Sequence, residues 1–234
     1  DGPMAEISAC QKTVCEKGPA AGSAFSFPNT VYNAAGGHLS IFTGLKGYCA
    51  TIANGAQAGL QAVTTACMML QNGTADVILT SGTDEISENI AALYAALGKA
   101  ENLAEGSVTA VLETQAHAKA RGARVYANVL GSASLHEPAA YGSESTQKLL
   151  GRTLREACAD AGVEEAKLGK IFYAATDAAQ DVTAQIGNSR ACAAAYALEK
   201  AVQAVAQGEC QYAAAVAGGW TGCASAVIVG RANA

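Results

Sequence analysis

Apolar residues along this chain fall into alternating short and long runs, the pattern of strands and helices taken in turn. A helix is expected from about Met4 to Cys15, ended by Lys17-Gly18-Pro19, with a second after Pro28. Tyr48 through Ile52 reads as a short strand and Asn54-Gly55 as a tight turn. Leu60, Val63, Cys67 and Leu70 then recur at helical spacing. A strand over Asp76–Thr80 and a helix over Ser87–Leu97 follow. Strands near Val108–Leu112 and Val125–Leu130 flank a short helix that carries His117. The second half repeats the order more loosely. A helix from about Thr146 to Ala161 leads to a strand at Ile171–Ala174. After a turn at Asn188 come a helix over Ala191–Ala206 and strands at Tyr212–Val216 and Ala226–Val229.

The stretch from Tyr48 to Leu60 is the most informative. A strand-turn-helix elbow lifts one side chain off a sheet and aims a helix N-terminus at it, a setting that stabilises a thiolate or oxyanion. Here the lifted residue is Ala56, which can neither ionise nor attack. The elbow is prepared for a nucleophile and supplies a methyl group.

Composition narrows the partners. The chain has 234 residues, enough for a sizeable core, and is 50% hydrophobic but only 15% charged. Such a chain is expected to bury part of its surface against a partner. The net charge of -5, with no block of like charge, argues against nucleic acid or an anionic membrane as the main partner. No apolar run reaches the roughly 18 residues of a membrane span, and no secretory leader pattern is read.

The eight cysteines, Cys10, Cys15, Cys49, Cys67, Cys158, Cys192, Cys210 and Cys223, include no C-x-x-C pair, and there are three histidines. No metal site is expected from them, and no cofactor. Most are read as small core residues and as free thiols in a reducing cytoplasm. Cys49, nearest the elbow, is read as structural rather than as a substitute nucleophile. His38 is expected to be packed and hydrogen-bonded, and His117 to be solvated.

The ordered set of motifs resembles the β-ketoacyl synthases of the thiolase superfamily. Phe27-Pro28-Asn29-Thr30 to Ser40, Gly44-Leu45-Lys46-Gly47 and the elbow come first. Asp76-Val77-Ile78-Leu79-Thr80-Ser81-Gly82-Thr83-Asp84-Glu85, Ala104 to Glu113 and Ala120-Arg121-Gly122-Ala123-Arg124-Val125-Tyr126-Ala127 follow in family order. The resemblance implies an α/β fold of the layered αβαβα thiolase type. Its two related halves would be residues 1–114 and 115–234. It also implies a strand and helices ahead of the stretch matching Asp1, so the N-terminal part of the family fold is expected to be missing from this chain. The loop between Gly98 and Ala104 is short, which implies a reduced cover over the site.

By that resemblance the catalytic set is degenerate. The nucleophilic Cys falls at Ala56, the first His at Ala175, the second His at Asn188, and the Lys ahead of it at Thr183. Loss of all four fits a naturally non-catalytic relative, and the clearest of these are the chain length factors of type II polyketide synthases. Gln57-Ala58-Gly59-Leu60 is similar to their Gln-containing elbow, offset by one. Three readings compete: a chain length factor that shapes the acyl tunnel of an active ketosynthase; a ketosynthase-like acyltransferase or malonyl decarboxylase with atypical residues; and a purely structural pseudo-subunit.

The first reading implies specific contacts. Cys49, Thr51, Ile52 and Asn54 would pair antiparallel with a catalytic ketosynthase across a two-fold axis, giving a heterodimer. Acyl carrier protein would dock mainly on that partner, because Lys46, Lys119, Arg121 and Arg124 read as a solvated face. The growing polyketide chain would meet a gate on the first helix, where Met4, Ile7 and Gln11 share one face at i, i+3 and i+7. That spacing also suits ordinary core packing.

Overall fold

The computed structural model describes residues 2–100, 102–138, 145–174, 181–219 and 221–232. In chain order the helices are α1 (Met4–Lys17), α2 (Ala34–Thr43), α3 (Ala58–Gln71), α4 (Glu88–Ala96), α5 (Gln115–Ala120), α6 (Ser145–Ala161), α7 (Thr183–Ile186) and α8 (Ala191–Ala206). The strands are β1 (Val77–Asp84), β2 (Gly106–Glu113), β3 (Ala127–His136), β4 (Lys170–Ala174), β5 (Tyr212–Gly218) and β6 (Cys223–Arg231). β1 and β2 form an antiparallel pair, and the other four strands form a sheet in the order β3-β6-β5-β4. β4 and β5 run parallel, while β6 is antiparallel to both its neighbours.

The layers follow from which faces are apolar. α3 and α8 lie between the two sheets, and α6 covers the far face of the four-stranded sheet. β5, whose central run is Ala213-Ala214-Ala215-Val216-Ala217, is buried on both faces. Alanine is a poor strand former, so packing between α8 and α6 overrides local preference. α8 is rich in alanine for a related reason. Ala193, Ala194, Ala197 and Ala201 are fully buried, and their small side chains let the helix lie close to Leu60, Val63, Val227 and Val229. Large side chains buried this deeply stabilise the fold by roughly 1.5–3 kcal/mol each. On the other side Leu149, Leu150, Leu154, Ala157 and Cys158 of α6 pack on Ala224, Ala226 and Ile228.

The first sheet is covered on one face. Thr80, Gly82 and Asp84 turn inward, with Thr80 and Asp84 buried. Leu79, Ser81 and Thr83 turn outward, opposite Val111, Thr109 and Ser107. The four hydroxyls on that outer face bond to one another, with Thr83 Oγ1 to Ser107 Oγ at 2.7 Å and Ser81 Oγ to Thr83 Oγ1 at 2.9 Å.

The strand expected at Tyr48–Ile52 is not a strand. Residues 48–53 have no regular secondary structure, pair with no strand among the described residues, and are exposed except for Ile52, which is half-buried. An extended segment becomes a strand only when a neighbour takes up its backbone N–H and C=O groups. Cys49 instead lies along α2, near Gly36. Two other expectations need correction. Cys15 and Cys49 are exposed rather than core residues. His38 is hydrogen-bonded, Nε2 to Asn29 Oδ1 at 2.8 Å, but it sits on the surface.

Candidate functional site

Gly55 makes the elbow possible. Its φ of +102° is open to glycine and strained for other residues. Residues 56 and 57 then turn into α3, which starts at Ala58. Ala56 is half-buried at the mouth of that helix. Facing it is the hairpin turn between β5 and β6: a methyl placed on Gly219 would lie 3.6 Å from the Ala56 methyl. Gly219 therefore lies close to Ala56, near enough that a side chain there would touch its methyl. The turn is held by Gly222 N donating to Gly219 O at 3.3 Å and by Glu137 N donating to Gly222 O at 2.8 Å. This Gly219–Gly222 turn is the part of the site that sequence reasoning missed. The signal was the run of glycines between two apolar stretches.

Gln57 is almost wholly buried beside the elbow, and its Nε2 donates to Asn54 O at 2.7 Å. Its Oε1 and the Thr221 hydroxyl are buried without a hydrogen-bond partner among the described residues. Both lie against Gly55, 3.4 and 3.3 Å from where its Cβ would be. An unpaired buried polar atom costs about 1–3 kcal/mol, so the elbow carries polar capacity that the chain itself does not use. Asn54 Nδ2 donates to Gln61 Oε1, which ties the turn to the first coil of α3.

Backbone contacts bring the second half to this place. A Cβ on Gly59 or on Gly82 would come within 2.2 Å of Ala191 O, so α3 and β1 both touch the start of α8. Asp84 Oδ2 accepts from Ala191 N at 2.8 Å, and Asp84 Oδ1 faces Arg190 Nε at 3.5 Å in a buried ion pair. Arg190 Nη2 also donates to Glu85 O at 3.2 Å, and the guanidinium lies 5.6 Å from the centre of the Tyr94 ring. Burial pushes the Tyr94 hydroxyl above its usual range, with Arg190 acting in the opposite sense. The positive end of α8 is thus met by the Asp84 carboxylate and is not aimed at an open site.

Asn188 and Thr183, two of the positions singled out by the sequence resemblance, bind their neighbours largely through backbone atoms. Asn188 N donates to Asn102 O at 2.6 Å, Ala104 N donates to Asn188 O at 3.2 Å, and Asn188 Oδ1 accepts from Arg190 N at 3.3 Å. Thr183 O accepts from Asn102 Nδ2 at 3.0 Å, and Thr183 N donates to Asp181 Oδ1 at 2.8 Å. Asn188 and Thr183 therefore clamp the 102–104 loop between them. Ala175 lies outside the described residues.

Other candidates separate clearly. Ile7 and Gln11 line a groove of about 300 Å³ with Cys10, Val14, Cys15 and Thr30; Met4 is not in its lining. Burial pushes the Cys67 thiol up to about 11, and burial raises Cys158 and Cys192 as well, so none of these is a ready nucleophile. His117 is not simply solvated: its Nδ1 pairs with Glu113 Oε2 at 2.7 Å, and Arg121 Nε donates to the same oxygen at 2.9 Å. Hydrogen bonds from Arg121 and then His117 hold the Glu113 carboxyl down at about 2. No group of three or more metal-binding side chains occurs among the described residues, and none of their helices is long and apolar enough to cross a membrane.

Comparison with known proteins gives this geometry a context. Residues 5–118 match the family described as "Beta-ketoacyl synthase, N-terminal domain". The chain is 29% identical over 213 residues to "3-oxoacyl-[acyl-carrier-protein] synthase 2" of Vibrio cholerae, covering 81% of this chain and 51% of that protein. It is 34% identical over 122 residues to "Nodulation protein E" of Rhizobium leguminosarum bv. trifolii, covering 46% of this chain and 30% of the relative. The chain spans about half the length, or less, of these relatives. Among solved structures, "The ishigamide ketosynthase/chain length factor" superposes with a TM-score of 0.85 at 18% identity, over 97% of this chain and 72% of that one. An acyl-carrier protein complex with its ketosynthase, "AntDE:AntF (apo)", gives 0.84 at 17% identity, over 99% and 76%. Likeness at that identity shows the fold, which is the thiolase-like α/β arrangement.

Proposed function

From the premise that this is a β-ketoacyl-synthase-like chain of the thiolase fold, we propose that it is a non-catalytic chain length factor. It pairs with an active ketosynthase and shapes the space in which the acyl chain grows. The observation that carries this reading is the elbow itself. The turn and the helix are both present, and the side chain delivered between them is a methyl. Condensation needs a nucleophile there, and donors to hold the developing oxyanion. By the resemblance Asn188 and Thr183 replace a His and the Lys, so an amide and a hydroxyl stand where an imidazole and an ammonium would be needed.

Two features support a partner. Residues 48–53 have no strand beside them among the described residues. Phe25, Phe27, Ile41, Phe42 and Leu45 are exposed as well, and large apolar side chains left in water favour a covering partner. In this reading Cys49, Thr51, Ile52 and Asn54 form the pairing edge. Ile7 and Gln11, with Met4 further along the helix, face the acyl chain, and carrier protein docks mainly on the ketosynthase.

Co-expression with candidate ketosynthases tests the proposal. The expected result is a stoichiometric complex by size-exclusion chromatography, whose product length by mass spectrometry shifts in Ile7→Ala and Ile7→Trp variants. An Ala56→Cys variant is expected to remain without condensation activity on its own. A chain that stays apart from every ketosynthase, or that condenses once Ala56→Cys supplies a thiol, would count against this function.

A further inference from the structure

The elbow reading leaves one reactive pair unused. His136 ends β3 and Cys223 begins β6, and the two stand directly opposite in the antiparallel register. His136 Nδ1 lies 3.0 Å from Cys223 Sγ. Alternation along β6 fixes which way they face. Val227 and Val229 point to α3 and α8, whereas Ala224, Ala226 and Ile228 point to α6. Cys223 and Ser225 belong to the first set, on the elbow side of the sheet. They are also at the elbow end of it: Gly219, which faces Ala56, donates from its N to Cys223 O at 3.4 Å.

We propose that Cys223 and His136 form a thiol–imidazole pair that accepts an acyl group from a thioester. A nucleophile and a base within hydrogen-bonding reach are the minimum for such a step. Cys223 is half-buried and His136 is exposed, so the pair is open to a substrate, in contrast to buried Cys158 and Cys192. His136 Nδ1 takes the thiol proton as Sγ attacks the thioester carbonyl. The new bond joins the acyl carbon to Cys223 Sγ, the bond to the donor sulfur breaks, and the departing thiolate receives the proton from His136. No electron is gained or lost. The pair rests on geometry alone, and the choice of an acyl thioester as its electrophile rests on the ketosynthase-like reading. Cys223 then holds an acyl chain beside the elbow, where Ala56 cannot.

Peptide mapping of the full chain by mass spectrometry tests both parts. Iodoacetamide reports on the thiol, and an acyl N-acetylcysteamine thioester reports on acyl transfer. Exposed Cys15 and Cys49 serve as internal references. Cys223, although less exposed, is expected to alkylate at least about tenfold faster than either, in line with the effect of a positioned base. It is also expected to gain the acyl mass. His136→Gln, at an exposed position, should bring Cys223 down to the reference rate and leave Cys15 and Cys49 unchanged, and Cys223→Ser should abolish acyl uptake. A Cys223 no faster than the references, or unaffected by His136→Gln, overturns the pair whatever the family role of the chain. Fast, His136-dependent alkylation without acyl uptake overturns the acyl-acceptor assignment.

Discussion

Helices α2 and α8 are both apolar, yet they end in opposite environments. α8 buries nine of its residues between two sheets. α2, Ala34–Thr43, buries none, and its Ile41 and Phe42 are 81% and 92% exposed. Apolar composition therefore does not decide burial; the faces available on either side do. The second sheet supplies α8 with a wall and α3 supplies another, while α2 rests on the 27–30 turn and on the 48–53 segment, which pairs with no strand among the described residues. α8 is held by elements from both ends of the chain, α3 and β1 on one side and the four-stranded sheet on the other. The half with the elbow leaves its apolar surface turned outward.

The contrast can be broken at its strongest point. Arg190→Ala removes the cation that faces the buried Asp84 carboxylate at the start of α8, and should cost about 3–5 kcal/mol in urea unfolding. If the loss were below about 1 kcal/mol, a surface-like value, the pair would not be a clamp on this helix. Gly59→Ala comes next. Its new methyl would meet Ala191 O, and the expected loss is about 1–3 kcal/mol by the same measurement. At the exposed end of the comparison, Phe42→Ser should change the stability of the isolated chain by no more than about 0.5 kcal/mol. The same change should weaken co-purification with a ketosynthase, and Ile52→Asp should abolish it by placing a charge in the joint.

The smallest effect is electrostatic. Glu113 is held down at about 2 by Arg121 and His117, so its folded-state value lies below the ordinary carboxylate value. Its contribution is therefore present above about pH 4.5 and is lost as pH falls through about 2. A carboxyl chemical-shift titration should show Glu113 still ionised at about pH 3. Arg121→Ala should move that transition upward.

Much of this architecture is legible in the sequence where local pattern and tertiary setting agree. α8 spans Ala191–Ala206, the range its alanine-rich periodicity predicts, because a strong helix former there also fits a narrow gap. Strand ends are less legible. β6 runs Cys223–Arg231 rather than 226–229, since pairing with β3 and β5 extends it past its apolar centre. The elbow turn and Ala56 can be read from glycine chemistry and helical spacing. The 48–52 strand cannot, because its existence depends on a neighbour that the local pattern does not specify. The Asp84–Arg190 pair and the His136–Cys223 pair are equally silent, each joining residues far apart in the chain. His117 reads as solvated from its helix alone, and only the fold brings Glu113 beneath it.

The contact of Gly59 and Gly82 with Ala191 O has a consequence for change over time. The two layers meet at this point through close backbone contact, with the Asp84 carboxylate binding Ala191 N beside it. The position of the elbow relative to the start of α8 is therefore set without help from the methyl of Ala56. The side chain at the elbow can change while its mount stays in register, so the chemistry of this place and the folding of the chain are free to vary separately.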